Sequence, residues 1–219
     1  MKPTRLAAFS DGVIAIIITI MVLELRAPAG NQLDDLRPLL PVFLAYVLSF
    51  VFISIYWNNH HHLIYAARRV NGAIMWANIH LLFWLSIIPF TTSWMSGHPG
   101  ELWPTVLYGI NLLMPGFAFR LLLSAIVREH GRDSDIARAI GPDLKGYASL
   151  FFYVLAIAMA FFNPWVSYVI YAGVAVIWLI PDHIELKPSL PKMQLGSSNR
   201  KSCEVRICLA NFPGMENPL

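Results

Sequence analysis

Six apolar stretches, each at or near the length that crosses a lipid bilayer, restrict this chain to few folds. A transmembrane helix needs roughly 20 mostly apolar residues; the first four stretches are that long or longer, and the last two are shorter. Asn163 and Pro164 separate the last two and signal a tight turn, which predicts a helical hairpin. The sequence therefore predicts an all-α, polytopic membrane protein with six transmembrane helices. The stretches span residues 6–25, 39–65, 73–94, 102–126, 147–162 and 165–180.

The composition agrees with a bilayer as the solvent and gives no support to an enzyme. Hydrophobic residues make up 57% of the chain and charged residues 13%, whereas a soluble domain has about 25% charged residues. The mean hydropathy is +0.56. Because the sequence contains no nucleophile-elbow, P-loop, zinc-helix or dinucleotide-binding glycine motif, we expect neither an enzyme nor a bound cofactor.

The first apolar run contains Asp11 and is too long for the core of a cleaved signal peptide, so we expect a retained first helix.

The distribution of lysine and arginine predicts which side of the membrane each loop occupies. If the amino terminus is cytoplasmic, Arg26 and Arg37 are the only basic residues in the outer segments. Six spans return the carboxyl end to the same side, so we expect both termini in the cytoplasm and the protein in the cell membrane. The cytoplasmic segments then hold Lys2, Arg5, Arg68, Arg69, Arg128, Arg132, Arg138, Lys145, Lys187, Lys192, Arg200, Lys201 and Arg206.

The composition divides the chain into a membrane domain and a polar tail. Residues 1–181 hold all six apolar stretches, whereas residues 182–219 hold none and contain several prolines, glycines and serines. We expect this tail to be disordered in the cytoplasm. Cys203 and Cys208, which both lie in it, are at best a weak metal-binding pair, so we expect no metal site there.

Polar residues of the predicted helices lie at one depth, in the cytoplasmic half of the membrane, if the topology above is correct. An acid such as Asp11 is costly in lipid and needs a partner, and Arg5, His60 or His61, and Asn78 are within reach if helices 1–3 pack together. Two interpretations stay open: a structural network that fixes how helix 1 packs, and a proton relay through Asp11 and a histidine. Three consecutive histidines point about 100° apart on a helix and cannot converge on one metal ion. The layer contains Arg5, Ser10, Asp11, His60, His61, His62, Asn78, His80 and Arg120.

An apolar stripe follows Asp11 along the first predicted helix. Ile16, Ile20 and Leu23 are spaced i, i+4 and i+7, with Thr19 beside them. Ordinary helix packing or lipid contact explains such a stripe in most helices. Glu24 follows near the outer surface, where acidic residues outnumber basic ones and would concentrate cations at an entrance. The sequence alone therefore leaves packing, lipid contact and a cation pathway as alternatives for this face.

Three motifs resemble a known family of membrane proteins. The segment RLAAFSD, residues 5–11, resembles the R-x-x-x-F-S-D signature of the transmembrane protein 175 family, the endolysosomal and prokaryotic potassium channels. The segment YWNNHHHLIY, residues 56–65, is similar to the W-x-x-H-H end of that family's helix 2. Residues 78–94, NIHLLFWLSIIPFTTSW, are similar to its helix 3. Gly12 departs from the pattern, because a hydrophobic residue usually follows Ser-Asp there.

The resemblance implies a passive potassium channel in which helix 1 lines the pore. Prokaryotic members have one six-helix repeat and form a homotetramer, and this chain has one such repeat. Rings of isoleucine and leucine, with a threonine layer, replace the carbonyl filter of ordinary potassium channels, and no TVGYG segment occurs here. The matching pore residues are Ile16, Thr19 or Ile20, and Leu23, with Glu24 at the outer mouth. The implied anchors of helix 1 are Arg5, Phe9, Ser10, Asp11, Trp57, His60, His61 and Asn78.

Two other functions remain open from the sequence. Asp11 and the neighbouring histidines are compatible with a proton-conducting or proton-coupled cation transporter. Such transporters often contain inverted repeats and broken helices, and no paired repeat is evident in this sequence. A membrane scaffold that conducts no ions is the third alternative.

Overall fold

The computed structural model describes residues 2–131 and 144–179, and helices are the only regular secondary structure within these residues. The predicted all-α class is therefore confirmed, and a short 3-10 helix, Leu33–Leu39, precedes the second helix. Four helices have the length and composition of a membrane span, and two apolar helices are shorter. Arg132, Arg138 and the predicted tail with Cys203 and Cys208 lie outside the described residues. The helices are α1 Pro3–Leu23, α2 Leu40–Ala66, α3 Gly72–Gly97, α4 Leu102–His130, α5 Leu144–Ala160 and α6 Pro164–Leu179.

Proline and asparagine define several of the helix ends. Pro3 occupies the first turn of α1, where its missing N–H would have no helical partner. Asn71 caps α3, and its side chain accepts a hydrogen bond from the Ile74 N–H at 2.9 Å. Asn163 accepts one from the Trp165 N–H at 3.0 Å just before α6, so the turn predicted between the last two helices is present.

The helices pack mainly against their neighbours in sequence. α1 lies against α2 and α3, α3 packs along α4, α4 packs against α5, and α5 against α6. α6 returns to contact α2, which closes the bundle. α1 and α3 begin at the same end of the bundle at which α2 and α4 end. We call this end the amino-terminal end and the other one the opposite end.

Two buried apolar clusters fill the bundle. The first lies among α1, α2, α3 and α4 and contains Ile14, Ile53 and Leu85. The second lies mainly among α2, α4, α5 and α6 and contains Phe52 and the three buried tyrosines Tyr108, Tyr153 and Tyr171. α1 contributes only to the first cluster, whereas α5 and α6 contribute only to the second.

A glycine allows a close approach between α4 and α6. A Cβ atom added at Gly109 would overlap the hydroxyl of Tyr171, and it would also meet the Ile157 side chain of α5. The Tyr171 hydroxyl donates to the Thr105 carbonyl at 3.1 Å. Small residues serve this purpose in membrane helices generally, because helix backbones must come close to pack without a hydrophobic driving force.

Candidate pore-lining helix and its polar anchors

One side of α1 is buried in the protomer. Its residues recur every three or four positions, which places them on one face of a helix. Each of the apolar members is at most 3% exposed, and Ser10 is fully buried among them. This face joins α1 to α2 and α3 and contains Leu6, Ala7, Ser10, Ile14, Ile17 and Met21.

The other side of α1 is uncovered in the protomer and holds the predicted apolar stripe. Ile16 is 58% exposed, Ile20 46% and Leu23 77%, and Thr19 is exposed beside them. Phe9 and Arg5 lie on this same uncovered side, at 55% exposure for Phe9. An uncovered apolar face in a membrane protein must contact lipid, another protein surface or a narrow water column.

The side chain of Thr19 is oriented by the helix itself. Its hydroxyl donates to the Ile16 carbonyl at 2.8 Å. The proton is therefore directed at the backbone, and the lone pairs of the oxygen remain available on the uncovered side of α1. Oxygen lone pairs in this position can interact with a cation.

A chain of hydrogen bonds connects α2, α3 and α1 at the amino-terminal end of the bundle. Asn78 Nδ2 donates to Ser10 Oγ at 3.0 Å, and Ser10 Oγ donates to the Leu6 carbonyl at 2.9 Å. Asn78 Oδ1 then accepts from His60 Nε2 at 2.6 Å, which assigns the proton of His60 to Nε2. All three side chains are at most 1% exposed. Ser10, His60 and Asn78, which the sequence predicted at one depth, are thus in contact.

Asp11 interacts with an aromatic side chain rather than with a cation. Trp57 Nε1 donates to Asp11 Oδ1 at 2.9 Å. The sequence suggested Arg5 as a possible partner, but within residues 2–131 and 144–179 the sole ion pair joins Arg37 and Asp34. Arg5 and Phe9, both predicted as anchors, lie on the uncovered face of α1 and make none of these anchoring contacts. Arg5 does not take part in the contact between Asp11 and Trp57, because it lies on the side of α1 that faces away from α2.

The three consecutive histidines do not share one set of partners, although the His61 and His62 rings meet edge-on with centroids 5.8 Å apart. His60 faces Asn78, whereas the His61 ring packs against Tyr65, with centroids 4.4 Å apart, and against Trp57 at 5.6 Å. His62 is exposed. The Nδ1 atoms of His60 and His61 are buried and have no hydrogen-bond partner within the described part of the chain.

Two further members of the predicted polar layer have aromatic partners. His80 Nε2 accepts from Trp84 Nε1 at 2.9 Å within α3. The Arg120 guanidinium lies 3.5 Å from the centroid of the Tyr147 ring, which connects α4 to α5. These two interactions lie within α3 and between α4 and α5 rather than at α1, so depth in the membrane alone did not identify the anchors of the candidate pore helix.

A second attachment of α1 to α3 lies at the opposite end of the bundle. Ser93 Oγ donates to Glu24 Oε2 at 3.0 Å. Sequence analysis placed Glu24 at an outer mouth and did not select Ser93. The predicted topology places Ser93 at the same depth as Glu24, but depth alone does not show which neighbouring helix a serine faces.

Sequence analysis also missed a polar cluster between α2, α3 and α4. Ser49 lies 2.7 Å from Thr92 and 2.9 Å from the Tyr108 hydroxyl, and all three are buried. Asn111 of α4, 2% exposed, contacts α3 beside this cluster. Small polar residues in an apolar helix commonly bond to neighbouring helices, so the residue type makes them candidates without identifying the partner helix.

Comparisons with known proteins agree with this architecture. The family model for the endosomal/lysosomal potassium channel TMEM175 matches residues 5–89. A potassium channel from Chryseobacterium sp. is 51% identical over 182 residues, which cover 83% of this chain and 95% of that protein. The crystal structure of a lysosomal potassium-selective channel TMEM175 homologue from Chamaesiphon minutus superposes with a TM-score of 0.67 and 27% identity, covering 81% of this chain and 96% of that one.

A vertebrate relative is more distant and bears a different description. The endosomal/lysosomal proton channel TMEM175 of Danio rerio is 23% identical over 124 residues, which cover 54% of this chain and 24% of that protein.

The fold and these relatives define a multi-pass, α-helical membrane protein of the ion-channel type. The chain belongs to the TMEM175 family, as its similarity to the Chryseobacterium channel over nearly the full length of that protein establishes. This family consists of ion channels, so the expectation that the chain is not an enzyme is confirmed.

Proposed function

We propose that this chain forms a passive, potassium-selective channel in which α1 lines a central pore. The observation that carries the proposal is the placement of Ile16, Thr19, Ile20 and Leu23 on the uncovered side of α1. The opposite side of the same helix is held by buried packing and hydrogen bonds. The names of the bacterial relative and of the solved homologue, a potassium channel and a potassium-selective channel, support the choice of ion.

The proposed constriction consists of rings of Ile16, Ile20 and Leu23 around the pore axis. A narrow apolar ring resists wetting and raises the barrier to a hydrated ion. Potassium gives up its water more readily than sodium, so a tight apolar ring favours potassium modestly. The oxygen of Thr19, whose proton is directed at the Ile16 carbonyl, replaces part of the lost hydration. Glu24 at the outer mouth raises the local concentration of cations, and no cofactor beyond the permeant potassium ion is needed.

A homotetramer supplies the rest of this pore. One α1 cannot enclose a water column, and its uncovered apolar side needs a partner surface. Closed rotational symmetry places the same face of each subunit at the axis. Four copies of α1 then bring four Ile16 and four Leu23 side chains together, with α2 and α3 behind each of them.

We further propose that the channel lies in the cell membrane with its amino-terminal end in the cytoplasm. The basic residues Lys2, Arg5, Arg68, Arg69 and Arg128 all lie at this end of the bundle. The excess of lysine and arginine on one side is the known determinant of orientation. Residues 182–219 then form a cytoplasmic tail.

Reconstitution of the full-length protein in liposomes tests the proposed function. A potassium gradient should drive ion flux, and the reversal potential with potassium on one side and sodium on the other should show a preference for potassium. Ile16→Ala and Leu23→Ala should widen the constriction and lower that preference. Val169→Ala is the matched control, because Val169 of α6 is 72% exposed and distant in sequence from the pore helix. If Ile16→Ala and Leu23→Ala both behave like Val169→Ala, the stripe is not the filter.

Proton conduction is the second candidate. The hydrogen-bonded chain His60, Asn78 and Ser10 lies beside Asp11, and the Danio rerio relative is described as a proton channel. This function predicts flux driven by a pH gradient that Asp11→Asn abolishes and that Ile16→Ala leaves unchanged. The same liposomes therefore separate the two candidates, and a non-conducting scaffold would give no flux under either gradient.

A further inference from the structure

α1 is hydrogen-bonded to α3 near both of its ends. Asn78 donates to Ser10 at the amino-terminal end, and Ser93 donates to Glu24 at the opposite end, both at 3.0 Å. At 1.5 Å per residue, the two attachment points are about 20 Å apart along each helix. The direction of α3 between Asn78 and Ser93 therefore influences the tilt of α1.

A proline lies in α3 between these two attachment points. Pro89 is inside the helix and buried. Proline has no N–H, so the Leu85 carbonyl loses the donor that would pair with it in a regular helix. Helices bend most readily where this ladder of hydrogen bonds is interrupted. The angle between the two parts of α3 consequently depends on contacts from outside the helix.

Asn111 of α4 makes such contacts on both sides of Pro89. With its amide oriented to satisfy its neighbours, Asn111 donates to the Trp84 carbonyl at 3.1 Å and accepts from the Ile88 N–H at 3.1 Å. It also accepts from the Thr91 hydroxyl at 3.0 Å. In an uninterrupted helix, a carbonyl and the N–H four residues later bond to each other. The Asn111 side chain thus binds both members of such a pair and, beyond the proline, Thr91.

We propose that Asn111 is a positioning residue for ion selectivity. Its amide holds the angle of α3 at Pro89, and α3 in turn fixes where α1 holds Ile16 and Leu23. The inference rests on the proposed function, because it concerns the width of the same constriction. Asn111 itself is buried between α3 and α4 and belongs to neither the stripe nor its direct anchors.

Reversal potentials of the reconstituted full-length channel test the proposal. Asn111→Leu removes the amide at similar volume and should lower the potassium-to-sodium permeability ratio roughly two- to tenfold. Thr105→Val is the matched control, because Thr105 is also buried in α4 but lies 3.0 Å from the Tyr168 hydroxyl of α6. It should leave the ratio at the wild-type value. Only conducting channels determine a reversal potential, so a lower yield of folded protein does not change it.

Pro89→Ala decides whether Asn111 acts through the interruption in α3. Alanine supplies the missing N–H to the Leu85 carbonyl, so Asn111→Leu should change the permeability ratio less in this background than in the wild type. If Asn111→Leu alone does not assemble, the double variant should restore assembly and conduct, since a regular α3 no longer depends on the amide. The proposal is overturned if the double variant does not restore assembly, or if Asn111→Leu changes the permeability ratio equally in the wild-type and Pro89→Ala backgrounds. It is also overturned if Asn111→Leu alone has the wild-type permeability ratio. Wild-type channels without any potassium preference would instead refute the proposed function.

Discussion

Trp57 of α2 donates its indole N–H to the carboxylate of Asp11 in α1 at 2.9 Å. The bond gives the acid of the first helix a partner without placing a second charge in the membrane. The same carboxylate faces away from the uncovered side on which Ile16 and Leu23 lie, so it attaches the helix rather than lining the proposed pore.

Trp57→Phe should destabilise the protein by about 1 to 3 kcal/mol, because the indole donor to a charged oxygen is lost while most of the aromatic contact remains. The midpoint of unfolding by a denaturing detergent measures this change. Trp76→Phe is the control, since Trp76 is 73% exposed on α3 and its indole N–H makes no hydrogen bond to the described residues. Equal midpoints for Trp57→Phe and the wild type would show that the bond adds no stability.

Ser10 and Asn78 should behave as a coupled pair. Ser10→Ala and Asn78→Ala each break the chain of hydrogen bonds that leads to His60. Once one substitution has been made, the other should therefore lower the free energy of unfolding by less than it does alone. Residues that share a hydrogen bond show coupling energies of about 0.5 to 3 kcal/mol. A double-mutant cycle on the free energy of unfolding measures the coupling. The comparison cycle pairs Ser10→Ala with Ser167→Ala, because the Ser167 hydroxyl donates to the Ala156 carbonyl in the α5–α6 hairpin. In the comparison cycle we expect the two effects to add. If the effects of Ser10→Ala and Asn78→Ala also add, these two residues are not coupled.

Substituted cysteines should distinguish the two faces of α1. In a background with Cys203 and Cys208 replaced by serine, Ile16→Cys and Leu23→Cys should react with a charged, water-soluble thiol reagent and lose potassium current. Such reagents attack the thiolate, which forms only in contact with water. Ile17→Cys, whose native side chain is 3% exposed on the packed face, should keep its current under the same treatment. Protection of Ile16→Cys and Leu23→Cys in conducting channels would place the stripe against lipid or protein instead of water.

The helices of this fold follow from the sequence more directly than its contacts do. Apolar runs bounded by charge, proline and glycine give the spans, and α4 begins at Leu102 as predicted. Depth along the membrane also follows from topology, which is why Ser10, His60 and Asn78 were expected at one level. Rotation about each helix axis does not follow, because it depends on how neighbouring helices pack. For this reason, the sequence suggested Arg5, a histidine or Asn78 as the partner of Asp11, whereas the partner in the structure is Trp57.

The missed residues have a related cause. Ser93 and Asn111 each lie in an apolar helix, where a serine or asparagine can bond to its own helix or to another one. Neighbouring residues do not distinguish these outcomes. The attachment of Ser93 to Glu24 and the contacts of Asn111 near Pro89 depend on the placement of α3 between α1 and α4, which the sequence of any single helix does not specify.

Gly109 should be the glycine of α4 that least tolerates a side chain. Gly109→Ala introduces a Cβ that overlaps the Tyr171 hydroxyl and the Ile157 side chain. Either α6 moves outward or Tyr171 gives up its bond to the Thr105 carbonyl, and overpacking of this kind costs about 1 to 3 kcal/mol. Gly173→Ala is the matched control on α6, because a Cβ there meets no atom within 4 Å. Unfolding midpoints of the two variants in the same detergent measure the difference, and a Gly109→Ala protein as stable as Gly173→Ala would mean that α4 and α6 are not in close contact at this point.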